Sequence, residues 1–234
     1  MRGLARRRSK EDTIPNQVFI GAPWSVTRPK YERAIAKLKK KFPLSFVIVG
    51  RGDGQEAEDL LAVIKKKIDL SSFVVFDATG GNANVSLDFG YAEALGLKRA
   101  LYVSTHQAAK RARKDNPIIA DLAGKKHNQY KQEGSLVRLL SDLCKIHDYT
   151  KRFENFLTTS FHTAKPGQKK RWRAMALKYI HLLDGQESIR RVDSVQSLQA
   201  EGYRGSEIDE LIRKMRAAGL VHSQQGPHSR VWVT

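Results

Sequence analysis

From Phe73 to Ala92 an apolar run of β-branched and aromatic residues passes through a loop of small residues straight into a helical pattern. Val74, Val75 and Phe76 have the character of a buried strand, and Gly80 and Gly81 permit a tight backbone path. Asn82 or Asn84 can cap the helix that follows, and the spacing sets Asp88 as one carboxylate in that helix's first turn. A loop of this kind lies at the C-terminal edge of its strand, where open α/β sheets bind ligands, and it can hold a nucleotide.

The neighbouring segments repeat the alternation. Val18 to Ala22 reads as a strand, Lys30 to Phe42 as an amphipathic helix through Tyr31, Ala34, Ile35 and Leu38, and Phe46 to Val49 as a second apolar run. Glu56 to Ile68 has helical spacing, Phe73 to Phe76 is the next strand, Ser86 to Leu95 the next helix, and Arg99 to Ser104 a further strand. Strands alternating with helices of about 10–15 residues specify an α/β fold with a doubly wound parallel sheet. Positions 105 to 134 are polar and basic and read as broken helix and loop, after which Leu136 to Phe156 resumes one helical pattern.

Thr163 to Lys170, with Pro166 and Gly167, reads as a linker, and the pattern beyond it changes from βαβ to helix-rich. Helices are expected over Arg171 to Leu183 and Val192 to Ala200. A third starts at Ser206, with Asp209 closing a weak capping box, and ends at Gly219. Leu220 to Ser223 and Arg230 to Val233 alternate as two strands about Gly226, Pro227 and His228. Three helices and a terminal hairpin resemble a small winged helix-turn-helix module. The expected organisation is a basic tail over 1–15, an α/β domain over 16–160, a linker over 161–170 and a nucleic-acid-binding module over 171–234.

Charge bears on the partner. The 234 residues include 42 Lys and Arg against 24 Asp and Glu, a formal net charge of +18, of which +7 falls in residues 151–234 and +11 in residues 1–150. A surplus spread over both parts is the electrostatic footprint of a polyanion binder whose nucleic-acid surface crosses both. Lys169, Lys170, Arg171, Arg173, Arg213, Lys214, His228 and Arg230 are the candidate nucleic-acid contacts. No apolar run approaches the about 18 residues that span a bilayer, and the basic stretch Arg2 to Lys10 lacks the apolar segment of a signal peptide, so no membrane contact and a cytoplasmic location are expected. Cys144 is the single cysteine and falls within an apolar pattern as a core residue. The seven histidines show no ligand spacing, and no metal or resident cofactor is expected.

The junction resembles the nucleoside 2-deoxyribosyltransferase-like and TIR-like N-glycosidases. Their loop commonly reads Asp-x-Thr, then Asn-Pro-Asn-Val, then x-x-Glu-x-Gly-Tyr-Ala, against Asp77 to Thr79, Asn82 to Val85 and Ser86 to Ala92 here. The strand from Val18 to Ala22, followed by Pro23 and Trp24, also resembles the family's opening, and the likeness covers roughly residues 16 to 145. Asp88 stands where the family has its catalytic Glu, Ser72 where many members have an Asp, and Ala83 where the loop has a Pro.

The resemblance implies attack at the anomeric carbon of a ribosyl or deoxyribosyl group of NAD or a nucleotide, with loss of the base. Asp88 is the candidate catalytic carboxylate. In a first helical turn it would be held ionised by the peptide dipoles, by about 0.3–1 kcal/mol, although its side chain is one methylene shorter than Glu. Gly21, Asp77, Asn82, Asn84 and Tyr91 are the candidate substrate contacts. Asp77 either hydrogen-bonds a ribose hydroxyl or caps its own loop through Thr79, and Tyr91 either lines the pocket or belongs to the core. Gly50 to Gln55, with Arg51, offers a weaker phosphate-binding turn. Glu93, about 140° around the helix from Asp88, faces elsewhere.

Such a domain joined to a winged helix resembles effectors of prokaryotic anti-phage systems, including retron effectors held by a reverse transcriptase with its DNA product. That implies a toxin docked to DNA or a DNA–RNA hybrid. The alternative expectation is a nucleotide-sensing, DNA-binding regulator whose first domain binds without turnover.

Overall fold

The computed structural model describes residues 13–23, 27–49, 60–106, 126–184, 188–224 and 229–234. Residues 1–12 of the expected basic tail, Trp24, the turn expected from Gly50 to Gln55, the cations Lys110 to Lys125 and His228 lie outside the described residues, and Ile14 and Pro15, expected in that tail, instead begin the first strand. The chain separates into two compact units, one of residues 1–35 and 46–139, the other of residues 36–45 and 140–234. Among the described residues no helix is long and apolar enough to cross a membrane.

The first unit is built on a five-stranded sheet of β1 (Ile14–Gly21), β2 (Ser45–Val47), β3 (Ser71–Asp77), β4 (Arg99–Ser104) and β5 (Asn128–Tyr130), in the order β2-β1-β3-β4-β5. The β1–β3, β3–β4 and β4–β5 pairings are parallel. In this doubly wound order the connection reverses direction between β1 and β3, leaving a crevice at their C-terminal ends. Helices α1 (Arg28–Leu38), α2 (Leu60–Leu70) and α3 (Ala83–Ala94) make the crossovers. The core explains the continuous apolar runs of the strands. Phe19, Val74, Phe76 and Val103 pack with Ile68 from α2 and with Val85, Phe89 and Ala92 from α3, and the Phe76 ring meets the rings of Phe19 and Phe89.

Two expectations are corrected. The segment expected as broken helix and loop contains β5, whose Asn128 and Gln129 are exposed while Tyr130 is buried. The single helix expected from Leu136 to Phe156 is two, α4 (Glu133–Ile146) and α5 (Asp148–Ser160). They part at His147, whose extended backbone and Nδ1 atom, accepting the Tyr149 N–H at 3.2 Å, cap the second helix.

The division into units falls within α4, before the 161–170 segment. The second unit continues through α6 (Pro166–Leu182), β6 (Ile189–Arg190), α7 (Arg191–Ala200), α8 (Gly205–Ala217), β7 (Val221–Ser223) and β8 (Arg230–Val233). The last two strands match the expected hairpin and are antiparallel. The two-residue β6 joins them to give a sheet ordered β6-β8-β7. Met175, Tyr179 and Ile180 of α6, Leu198 of α7, and Ile208, Leu211, Ile212 and Met215 of α8 are buried. The capping box expected at Ser206 and Asp209 lies two residues earlier, because the Glu207 carboxylate accepts the Arg204 N–H at 3.0 Å. Cys144 is fully buried, and burial pushes its thiol up to about 12.

Gly21 ends β1 where space is short: a Cβ there would sit 2.7 Å from Phe76 Cδ1, a ring closed in on both sides. Gly21→Ala should therefore destabilise the protein by about 1–3 kcal/mol, measured by urea unfolding; an unchanged midpoint would show that the ring yields without cost.

Candidate functional site

At the C-terminal end of β1 lies a cavity of about 80 Å³ lined by Gly21 and Ala22, by Leu60 and Ile64 of α2, and by Asn82, Asn84, Val85 and Asp88 around the start of α3. Four of the six candidate substrate and catalytic residues therefore converge: Gly21, Asn82, Asn84 and Asp88. Its volume admits a few waters or the edge of a sugar ring, against about 300 Å³ or more for pockets that enclose a whole drug-sized ligand.

Asn82 sets the register of α3. Its backbone is extended, and its Oδ1 accepts the N–H of Asn84 at 2.9 Å and of Val85 at 3.3 Å, which starts the helix at Ala83. That start corrects the placement of Asp88, which lies in the second turn rather than the first. The dipole effect fades within the first turn, so it does little for this carboxylate. Asp88 is only 7% exposed and accepts no hydrogen bond among the described residues. Burial raises its pKa to about 6, and the Lys65 ammonium of α2 opposes that rise. The expected ionised, dipole-stabilised carboxylate is thus a desolvated one that takes up a proton near neutrality.

Asp77 and Tyr91 are not brought into the cavity. Asp77 is fully buried; its Oδ1 accepts the Thr79 N–H at 2.9 Å and its Oδ2 accepts the Tyr130 hydroxyl at 2.6 Å. Of the two roles open to it, the loop-capping one is the role it takes. Burial raises its pKa, while the bonds from Thr79 and Tyr130 pull the other way. Tyr91 turns to α2, where its hydroxyl donates to Asp69 at 2.9 Å and its ring lies under Lys65 at 5.6 Å. Ser72, at the position where the resembling family has an acid, donates to the Gln17 carbonyl at 2.9 Å and so ties β3 to β1. Glu93 pairs with Arg99 at 2.6 Å. Lys65 escaped the sequence reading; it sits in a run of three lysines, and only its helical position relative to α3 singles it out. Among the described residues no group of three His, Cys, Asp or Glu could hold a metal ion.

The candidate nucleic-acid contacts divide. Arg171 pairs with Glu207 at 2.9 Å and lies over the Tyr203 ring, and this pairing lowers the Glu207 pKa. Arg173 grips Glu154 with two bonds, at 2.5 and 2.7 Å, and Lys214 pairs with Glu210 and donates to the Ser160 carbonyl. Arg230 donates to the Ser188 hydroxyl at 3.0 Å. Lys169, Lys170 and Arg213 are exposed and have no such partner among the described residues.

No family model and no curated protein matches the chain. It is similar to a solved structure titled "Structure of the activated Roq1 resistosome directly recognizing the pathogen effector XopQ (TIR domains)", at 12% identity and a TM-score of 0.32, over 86% of this chain and 98% of that one. The strand order and register, rather than that likeness, define the first unit as an α/β fold with a crevice at its switch point.

Because the folded pKa of Asp88 lies above the ordinary carboxylate value, its neutral form stabilises the fold fully below about pH 4, and that contribution is lost as pH rises through about 6. Asp88→Asn should accordingly stabilise the protein by about 2 kcal/mol at pH 8 and by close to nothing at pH 4, read from denaturant unfolding at both pH values. A change of equal size at both would mean that the carboxylate is well solvated.

Proposed function

We propose that the first unit is an N-glycosidase acting on NAD or a (deoxy)nucleotide, with Asp88 as the catalytic carboxylate. The observation that carries this reading is one acidic side chain, desolvated and with no hydrogen-bond donor among the described residues, in the wall of a small cavity at the end of β1. Lys65 offsets its desolvation only in part, and the oxocarbenium-like centre of glycosidic cleavage supplies a further positive charge for it to face. The bond from C1′ to the base nitrogen breaks and its electron pair leaves on the base. The carboxylate stabilises the resulting cation or bonds to C1′, and water then supplies the hydroxyl and releases a proton. The cavity size suits the sugar edge, with Gly21 giving close backbone approach and Asn82 and Asn84 at the rim.

The second unit, in this proposal, is a winged-helix module that holds nucleic acid. The succession α6, β6, α7, α8, β7, β8 and the β6-β8-β7 sheet support it, as does the basic surplus. In this proposal the protein is a cytoplasmic effector of the anti-phage, retron-like kind, a toxin governed by its nucleic-acid partner and by a reverse transcriptase bound to it. A nucleotide sensor without turnover is the second reading, favoured by the engagement of Asp77 with Tyr130 and Thr79 in place of a ligand.

Incubation with NAD and with deoxynucleotides separates the two. Free base should appear, its rate should rise with pH through about 6 and then level, and Asp88→Asn should lower it by about 100-fold or more. Tight nucleotide binding with no base released by the unsubstituted protein, with or without nucleic acid present, would support the sensor.

A further inference from the structure

We propose that single-stranded nucleic acid is held in the groove between the C-terminal half of α5 and the first turns of α6, by Lys169, Lys170 and His162 at its rim and by Leu157 and Phe161 at its floor. This rests on the reading of the second unit as the nucleic-acid-binding part, and it departs from insertion of α8 as the contact helix.

The groove encloses about 380 Å³. Its cations are exposed, and the Lys169 and Lys170 side chains make no ion pair or hydrogen bond among the described residues. His162 uses Nδ1 toward the Thr159 carbonyl at 2.9 Å, which leaves Nε2 for a ligand. Arg173 also borders the groove, but Glu154 neutralises it at 2.5 and 2.7 Å. The first turn of α6 contains no acid to offset the positive end of the helix dipole.

The floor decides the kind of ligand. Half-buried Leu157 supplies most of the apolar floor, and beside it lies the edge of the Phe161 ring, 5% exposed, with Trp172 stacked on it at a centroid distance of 4.5 Å and Lys214 Nζ 4.5 Å over it. A phosphate backbone alone satisfies the lysines and leaves this floor wet, whereas an unstacked base covers it while its phosphates reach the rim. Duplex DNA keeps its bases stacked and presents no such face. The start of α8 is poorly suited to either: Glu207, Asp209 and Glu210 lie in its first half, and their charges are absorbed by Arg171, Arg191 and Lys214. A second groove, at Arg213, Arg216 and His222, has the cations but only Ala217 and Val221 as apolar lining.

The test is anisotropy of a labelled oligo(dT) bound to the full chain at several salt concentrations. Lys169→Gln with Lys170→Gln should weaken binding at least about tenfold at low salt and flatten the salt slope by about 1.4, the share of two phosphates on a single strand. The control pair Lys40→Gln with Lys41→Gln removes the same charge from exposed positions of the same unit and should do neither. Leu157→Glu should cost oligo(dT) affinity more than duplex affinity. Equal losses from the two lysine pairs, duplex bound as tightly as oligo(dT), or poly-glutamate competing as well as the oligonucleotide would each overturn the groove. No nucleic-acid binding by the unsubstituted protein would overturn the reading of the second unit with it, while base release in the other unit stands or falls by its own assay.

Discussion

One buried carboxylate organises the ligand edge of the sheet. Asp77 ends β3 and accepts both the Thr79 N–H of its own loop and the hydroxyl of Tyr130, at the end of β5, while Thr79 Oγ1 accepts the Ser104 N–H at 2.7 Å from the end of β4. Three strand ends are thereby locked together by bonds that water does not reach. Breaking any of them would leave a buried polar group unsatisfied, at about 1–3 kcal/mol. The loop from Ala78 to Asn82 has little freedom once these bonds are made, with Gly80 and Gly81 taking the positive φ that the turn demands. Asn82 is then presented where it caps α3, and the helix begins at a fixed residue.

The position of Asp88 follows from that start. Six residues into a helix packed through Val85, Phe89 and Ala92 against Phe76, its carboxylate emerges beside the end of β1 with apolar surface around it. Two acids eleven residues apart thus take opposite roles. Asp77 is satisfied by donors and holds the loop; Asp88 lacks them and carries a raised pKa. An acid that burial holds above its ordinary pKa, against the attraction of Lys65, bears a stability cost at neutral pH.

The core of this arrangement was legible in the sequence. The apolar run of β3, the small-residue loop and the Asn82 cap each leave a local signature, and Arg99 to Ser104 reads directly as β4. What the sequence hid depends on tertiary partners. Asn128 and Gln129 look like loop because β5 is short and polar, and its one buried residue, Tyr130, is recognisable only with Asp77 opposite it. Ile189 and Arg190 become β6 only by pairing with β8. Asp77 and Tyr91 have the right types for a ligand site and are turned away by Tyr130 and Asp69. Arg171 and Arg173 read as nucleic-acid contacts because their partners Glu207 and Glu154 are distant in sequence, whereas the partner of Lys214, Glu210, lies one helical turn away and was open to view.

The account depends most on Asp88 being desolvated at a ligand edge, and titration of its side-chain carboxyl carbon by NMR addresses that directly. A midpoint near pH 6 in the free protein, moving upward when NAD or a deoxynucleotide displaces water from the cavity, is the expected result. A midpoint near pH 4 that no nucleotide moves would mean a solvated surface acid, and the proposed glycosidase site would have no catalytic group.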